Sequence, residues 1–339
     1  MRPAALNLGT AVLTLVLLGT LSFPAGRILT APLHSAAEPA RADAAPAPGP
    51  FFGEYGNPWH LAGWQRAMGA RPRLLAKFQS FSQSHPIGGF LAQCERDGIG
   101  SVLISWEPWR PLPASLGGRA QGSPQFGYRN VDIAAGAQDA YIRGFARSLR
   151  GFSGTVYLRY AHEMNGFWYP WSRNARAYVL AWRRVVRIFR SEGARNVRFV
   201  WSVNPSLYLH RSQWRRRIGR YWPGDSYVDD VGSTMIDFGG VKRYTVARFR
   251  PALGELRRIF HKPLILTEVN TEFRGRVAWL RQFELVLRRR PWISGVVWSQ
   301  LPSRSKAQAG PKVGNLSWDV TRDPPAAAVV RQIIEDRSG

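Results

Sequence analysis

After Pro50 the chain alternates short apolar runs with amphipathic stretches. Apolar runs bounded by turn residues lie at 51–55, 73–79, 101–106, 155–160, 197–203, 227–236, 263–268 and 293–299, and each reads as a strand. Helical periodicity fills 58–69, 87–97, 131–149, 175–191, 246–260, 276–289 and 324–335, with a weaker stretch around Gln213. Gly98, Gly151 and Gly193 follow three of these stretches and mark their ends. Strands separated by helices predict parallel pairing with right-handed crossovers. Eight such units fit the α/β class as a single (β/α)8 TIM barrel. The alternative is an open doubly wound sheet, and the missing Gly-rich loop after the first strand counts against its nucleotide-binding forms.

The N-terminal pattern is different. Residues 4–23 carry no charge, with Arg2 before them and Pro24 after. This predicts an export signal, either cleaved as a signal peptide or retained as a membrane anchor. Residues 31–50 are rich in Ala and Pro and read as a linker. The expected organisation is therefore 1–25 as the targeting helix, 26–50 as linker and 51–339 as the barrel domain. The expected location is extracytoplasmic: periplasmic, secreted or membrane-anchored facing outward. A monomer is expected.

Composition narrows the chemistry. The chain is 45% hydrophobic and 20% charged, which excludes a disordered chain. Cys94 is its single cysteine, so neither an intrachain disulfide nor a cysteine zinc site can form. The six His are scattered without ligand spacing, and no metal or cofactor is expected. The net charge is +25, from 47 Lys+Arg against 22 Asp+Glu, and only five of the basic residues are Lys. Such an excess points to a polyanionic partner: nucleic acid, lipid headgroups or an acidic polysaccharide. Export and the lack of a recognised motif count against nucleic acid. The Arg runs at 215–217 and 288–290 read as solvated helix faces.

In a barrel, chemistry collects where strands end and the following loops begin. Strand 3 ends in Trp106-Glu107-Pro108-Trp109. Strand 4 ends in Arg159-Tyr160-Ala161-His162-Glu163-Met164-Asn165-Gly166, followed by Trp168 and Trp171. Strand 5 ends at Asn204, strand 7 at Glu268 and strand 8 at Trp298. Carboxylates at strand ends 4 and 7 face one another across a barrel mouth. Glycoside hydrolysis needs such a pair, one to protonate the leaving oxygen and one to attack or activate water. Aromatic rings around the mouth would stack on sugar faces.

The strand-4 segment with its Trp-rich loop resembles the acid/base signature of glycoside hydrolase family 26, best known for β-mannanases. Segments 104–109, 200–205 and 262–268 are similar to that family's strands 3, 5 and 7. The resemblance implies a retaining O-glycosyl hydrolase with Glu163 as acid/base and Glu268 as nucleophile. It adds a substrate-binding set of Glu107, Trp109, Arg159, His162, Asn165, Trp168, Trp171, Asn204 and Trp298. The implied substrate is a β-linked polysaccharide, mannan or an exopolysaccharide, and the basic charge adds acidic glycans to the candidates. Strand 6 departs from the family, which usually places a Tyr beside the nucleophile where this chain reads 231–238 without one. That departure keeps open, as the alternative, a catalytically weak or inactive polysaccharide-binding barrel in an exopolysaccharide assembly or export system.

Overall fold

The computed structural model describes residues 51–55, 61–83, 87–110, 125–205, 210–237, 245–271, 275–300 and 319–338. The expected targeting helix and linker lie outside these residues. Among the described residues no helix is long and apolar enough to cross a membrane.

Eight strands close into one parallel barrel in chain order. They are β1 (Phe51–Tyr55), β2 (Leu74–Ser80), β3 (Ser101–Glu107), β4 (Thr155–Tyr160), β5 (Val197–Val203), β6 (Asp230–Asp237), β7 (Leu264–Thr271) and β8 (Ile293–Ser299). Closure comes from β8 pairing β1, with Phe51 opposite Gly295 and Tyr55 opposite Ser299. Around it run α1 (Leu61–Met68), α2 (Gly88–Arg96), α3 (Asn130–Ala135), α4 (Asp139–Arg150) and α5 (Ala175–Ser191). The ring continues through α6 (Arg211–Gly219), α7 (Val246–Phe260), α8 (Arg276–Arg288) and α9 (Pro324–Ser338).

The strands read as near-continuous apolar runs because both faces are covered. One face packs outward under the helices. The other fills the barrel with Phe51, Leu74, Leu103, Tyr157, Val200, Ile265 and Val297. Further along the same inward register the residues turn polar: Ser105, Arg159, Ser202 and Thr234. A polar upper layer on an apolar plug is what locates the chemistry at the C-terminal ends.

Several element ends differ from the sequence pattern by one to three residues, and two larger differences have a local reason. The stretch 131–149 is two helices, broken at Gly136, whose φ of 103° no side-chain-bearing residue adopts cheaply. The Arg184 guanidinium lies against that glycine and donates to the Ala134 carbonyl at 3.1 Å. Strand β6 begins at Asp230 rather than at 227, because Asp225–Tyr227 form a 3-10 turn. The Tyr227 carbonyl is taken there by the Trp182 indole N–H, and Asp230 enters the barrel paired with buried Arg198 at 2.9 Å.

A buried acid lies on the outer face of β1. Glu54 is buried, its Oε1 has no partner, and burial together with the Asp319 charge pushes its carboxyl up to about 8. The folded chain then holds a proton between pH 4.5 and about 8 that the unfolded chain releases. Stability falls as pH rises through that window. Glu54→Gln should remove this contribution, of the order of a few kcal/mol. Urea unfolding at pH 5.5 and 8.5 should show a smaller difference in the variant than in the wild type; parallel losses would assign the slope to other groups.

Candidate active site

Arg159 is the hub of the polar layer. It is 0% exposed and its guanidinium donates to residues from five other strands. Nε reaches Ser202 Oγ at 3.0 Å and Nη2 reaches Thr234 Oγ1 at 3.1 Å. Nη1 reaches Ser105 Oγ at 3.1 Å, Tyr55 Oη at 3.5 Å and Glu268 Oε1 at 2.5 Å. The last contact is a buried ion pair.

Simple alternation would point Glu268 away from Arg159, since Ile265 and Thr267 already face inward. A β-bulge re-aims it. Ser233 pairs with Leu266 but the next residue, Thr234, pairs with Glu268, leaving Thr267 as the extra residue. Both Thr267 and Glu268 then face the barrel interior, Thr267 Oγ1 lying 3.1 Å from Ser202 Oγ.

Glu163 is presented by strained backbone. Ala161 has φ 43° and Glu163 φ 53°, in the left-handed region that costs an L-residue roughly 1–2 kcal/mol. Neighbouring strand ends hold the segment: Ala161 N–H donates to the Trp106 carbonyl at 3.0 Å and Glu163 N–H to the Ser202 carbonyl at 2.8 Å. The carboxylate accepts from Thr234 Oγ1 at 2.5 Å and from Trp168 Nε1 at 2.9 Å. Thr234 thus sits between Arg159 and Glu163, so one hydrogen-bonded chain runs from Glu268 through Arg159 and Thr234 to Glu163. Trp168 can fold back onto Glu163 only because residue 166 is Gly; a Cβ there would lie 2.7 Å from the indole. Gly166→Ala should therefore displace Trp168, cutting activity on a polysaccharide substrate about tenfold while moving Tm by only a few degrees. A calorimetric scan beside the rate separates this from general unfolding.

The electrostatics follow from burial. The Glu268 carboxyl is pushed above the ordinary carboxylate range by desolvation, pulled back by Arg159, and pushed up again by Glu163. Glu107 arrives on the inward face of β3. Burial pushes its carboxyl up to about 8 against the Trp109 indole N–H bonded to it at 3.1 Å, so it carries a proton at neutral pH. His162 is pushed well below its usual value by burial and by the Arg159 charge, and is neutral. Its Nε2 lies 3.0 Å from Tyr169 Oη, while its buried Nδ1 has no partner.

The predicted residues divide into those brought together and those not. Glu107, Trp109, His162, Glu163, Trp168 and Glu268 converge on the mouth. Arg159 sits beneath it, too buried to touch a substrate, and acts on Glu268 instead. Asn165 is also diverted. Its amide donates to the Asn204 carbonyl at 2.8 Å and accepts the Asn204 N–H at 2.9 Å, clasping the ends of β4 and β5. Asn204 is half-buried, and Arg159, not Asn204, makes the contact to Glu268. Trp171 is buried, stacks on Tyr169 and donates to the His162 carbonyl at 2.7 Å, so it shapes the loop rather than presenting a face. Trp298 is 0% exposed and belongs to the core between barrel and helices, because Val297 takes the inward position. It offers no floor for a sugar. Ser105, Ser202, Thr234 and Tyr55 were not anticipated, although Ser105 and Ser202 stand two residues beyond the apolar inward positions Leu103 and Val200. Among the described residues no group of His, Cys, Asp or Glu could hold a metal ion.

The sequence model of glycosyl hydrolase family 26 matches residues 141–321, which include both Glu163 and Glu268. The chain belongs to glycosyl hydrolase family 26. Within curated proteins, this family 26 chain is 31% identical over 202 residues to endoglucanase H of Acetivibrio thermocellus, covering 54% of the chain and 20% of that protein. It is 35% identical over 86 residues to mannan endo-1,4-beta-mannosidase A and B of Caldalkalibacillus mannanilyticus, covering 23% of the chain and 15% of that protein. The chain thus spans a fifth or less of the length of these relatives. Among solved structures, a family 26 beta-mannanase from Bacteroides ovatus superposes with a TM-score of 0.56 at 17% identity, over 84% of this chain and 88% of that one. At that identity the likeness shows the shared barrel.

Proposed function

We propose that the chain is an exported O-glycosyl hydrolase that cleaves a β-linked polysaccharide internally by double displacement. The observation that carries this reading is the single network joining Glu268, Arg159, Thr234 and Glu163, which holds two carboxyl groups at one barrel mouth in different settings. Glu268, aimed by the β7 bulge and paired with Arg159, attacks the anomeric carbon. Glu163 gives its proton to the departing oxygen, and the sugar remains bound to Glu268 as an ester. Water, relieved of a proton by Glu163, then breaks that ester, giving back the starting anomeric configuration. Protonated Glu107 and neutral His162 are suited to hydrogen bonding sugar hydroxyls, and the half-buried Trp109 and Trp168 to packing against sugar rings.

The names of the relatives support glucan or mannan as the backbone, and the Arg excess supports an acidic one. Strand β6 brings a hydroxyl to the site, but Thr234 carries it to Glu163 rather than to Glu268, which is what favours the second reading of a weakly catalytic binding barrel. Purified protein and Glu268→Gln should be incubated with mannan, β-glucan, xylan and an acidic exopolysaccharide. Hydrolysis of at least one by the wild type alone, with the new reducing ends first appearing in the β configuration by proton NMR, is expected. Binding without cleavage would leave the second reading standing.

A further inference from the structure

A second concave site lies away from the two carboxyls. It has a volume of about 360 Å³ and none of the residues at the barrel mouth lines it. Its walls carry four guanidinium groups, from Arg173, Arg216, Arg217 and Arg220, with Gln213 beside them and Tyr221 at the base. No carboxylate lines it.

What sets these four apart is that they share one concave wall with no carboxylate partner, whereas several nearby arginines are paired. On α6, Arg211 and Arg215 share Glu255 at 2.7 and 2.5 Å. Elsewhere Arg143 and Arg147 share Glu192, and Arg184 pairs with Asp139. Arg173, Arg216, Arg217 and Arg220 are exposed and make no ion pair among the described residues. The Arg215–Arg217 run is therefore not a uniformly solvated face: one member is neutralised, and two turn into the hollow. Favourable interaction with the end of a helix would account for Arg216 and Arg217, which occupy the last turn of α6. It does not account for Arg173, which comes from the loop before α5, nor for a concave wall without a counter-charge.

The base is rigid. The Tyr221 carbonyl accepts the Trp201 indole N–H at 3.0 Å, and the Tyr221 ring packs edge-on against buried Tyr178. Four like charges held around a fixed base repel one another until an anion enters. Guanidinium forks match planar oxyanions in a bidentate manner, and the volume lies in the range of small-ligand sites, about 300–1,000 Å³.

We propose that this hollow is an anion-binding subsite that takes the carboxylate or sulfate groups of an acidic glycan. Arg173 closes the same loop that carries Glu163, Trp168 and Trp171, which puts the hollow and the mouth on one β4-to-α5 connection. A charged polysaccharide engaged at the mouth would then be gripped a second time beyond it. The glycan identity of the ligand rests on the hydrolase reading; the anion preference rests on the four arginines alone.

The test is binding of the full chain, carrying Glu268→Gln to prevent cleavage, to alginate as a polyuronate, to dextran sulfate, to neutral mannan and to phosphatidylglycerol vesicles. Arg216→Ala/Arg217→Ala should weaken alginate or dextran sulfate binding at least about tenfold, the size expected for losing charge-assisted hydrogen bonds. Which of the two falls further identifies the oxyanion. The exposed pair Arg66→Ala/Arg257→Ala removes the same charge elsewhere and should cost less than about threefold. Mannan affinity should be unchanged in both. Equal losses in the two double variants would overturn the proposal in favour of general surface charge. A loss confined to vesicles would overturn it in favour of lipid headgroups. If the wild type cleaves none of the polysaccharides yet the alginate contrast persists, the hydrolase reading fails and the anion site stands. If it cleaves and the contrast is absent, only the anion site fails.

Discussion

Glu163→Ala should lose about 10²–10⁴ in kcat/KM on a polysaccharide, but far less on a 2,4-dinitrophenyl glycoside. A sugar alkoxide is a poor leaving group and must be protonated as it departs, whereas a dinitrophenolate departs unaided. With the activated substrate the first step proceeds and the Glu268 ester accumulates, because no base remains to activate water. Azide needs no such base. It should restore turnover and release a glycosyl azide of the β configuration. Glu268→Ala should lose both substrates together, since no ester forms. Mass spectrometry of the quenched Glu163→Ala protein provides the direct check: a mass increase of one glycosyl unit on the peptide containing Glu268. Equal loss on both substrates in Glu163→Ala, with no azide rescue, would exchange or remove the assigned roles.

The second large effect should come from Arg159, a residue no substrate reaches. Arg159→Met removes the positive charge beside Glu268 and leaves that carboxylate buried without a counter-ion. Breaking a buried pair from one side typically costs about 3–5 kcal/mol. The surviving protein should show the acidic limb of its kcat/KM profile moved to higher pH, because the one contact that pulled the Glu268 carboxyl down is gone. Arg159→Lys keeps the charge but cannot reach Ser202, Thr234 and Ser105 together, so it should recover part of the pH profile and little of the stability. The variant Arg159→Met/Glu268→Leu should be more stable than Arg159→Met alone, since neither charge is then stranded. If the two are equally unstable, the cost lies in lost packing and not in the ion pair.

The strands and most helices were legible because their cause is local: a run covered on both faces must be apolar, and a helix must turn one face inward. Four strand ranges and the whole of α5 and α7 follow the hydrophobic pattern to the residue. The site was legible only where chemistry leaves a residue type with few other uses, such as a carboxyl closing an apolar strand. Trp298 shows the limit. An aromatic at a strand end can serve core or ligand equally well, and which one it serves depends on the parity of its strand. Parity likewise hid Thr234 and Ser202, ordinary polar residues whose importance comes entirely from facing Arg159. Asn165 failed for a different reason: its polar groups are consumed by a neighbouring backbone, which no single-strand pattern reports.

The extra residue in β7 has a consequence for how this domain tolerates change in length. Deleting Thr267 would not break the barrel, since Thr234 would still pair with Glu268 and the ladder to β6 would run in uninterrupted register. Glu268 would then take the inward position by plain alternation, still in the layer shared with Arg159, and the loss would be the Thr267 hydroxyl beside Ser202. Losing the bulge with Thr267 kept is the damaging change: Thr267 would then pair with Thr234, and Glu268 would fall opposite Met235 in the layer beneath the helices, away from Arg159 and Glu163. For this barrel, the register between strands is as much a part of the candidate site as the identity of its residues.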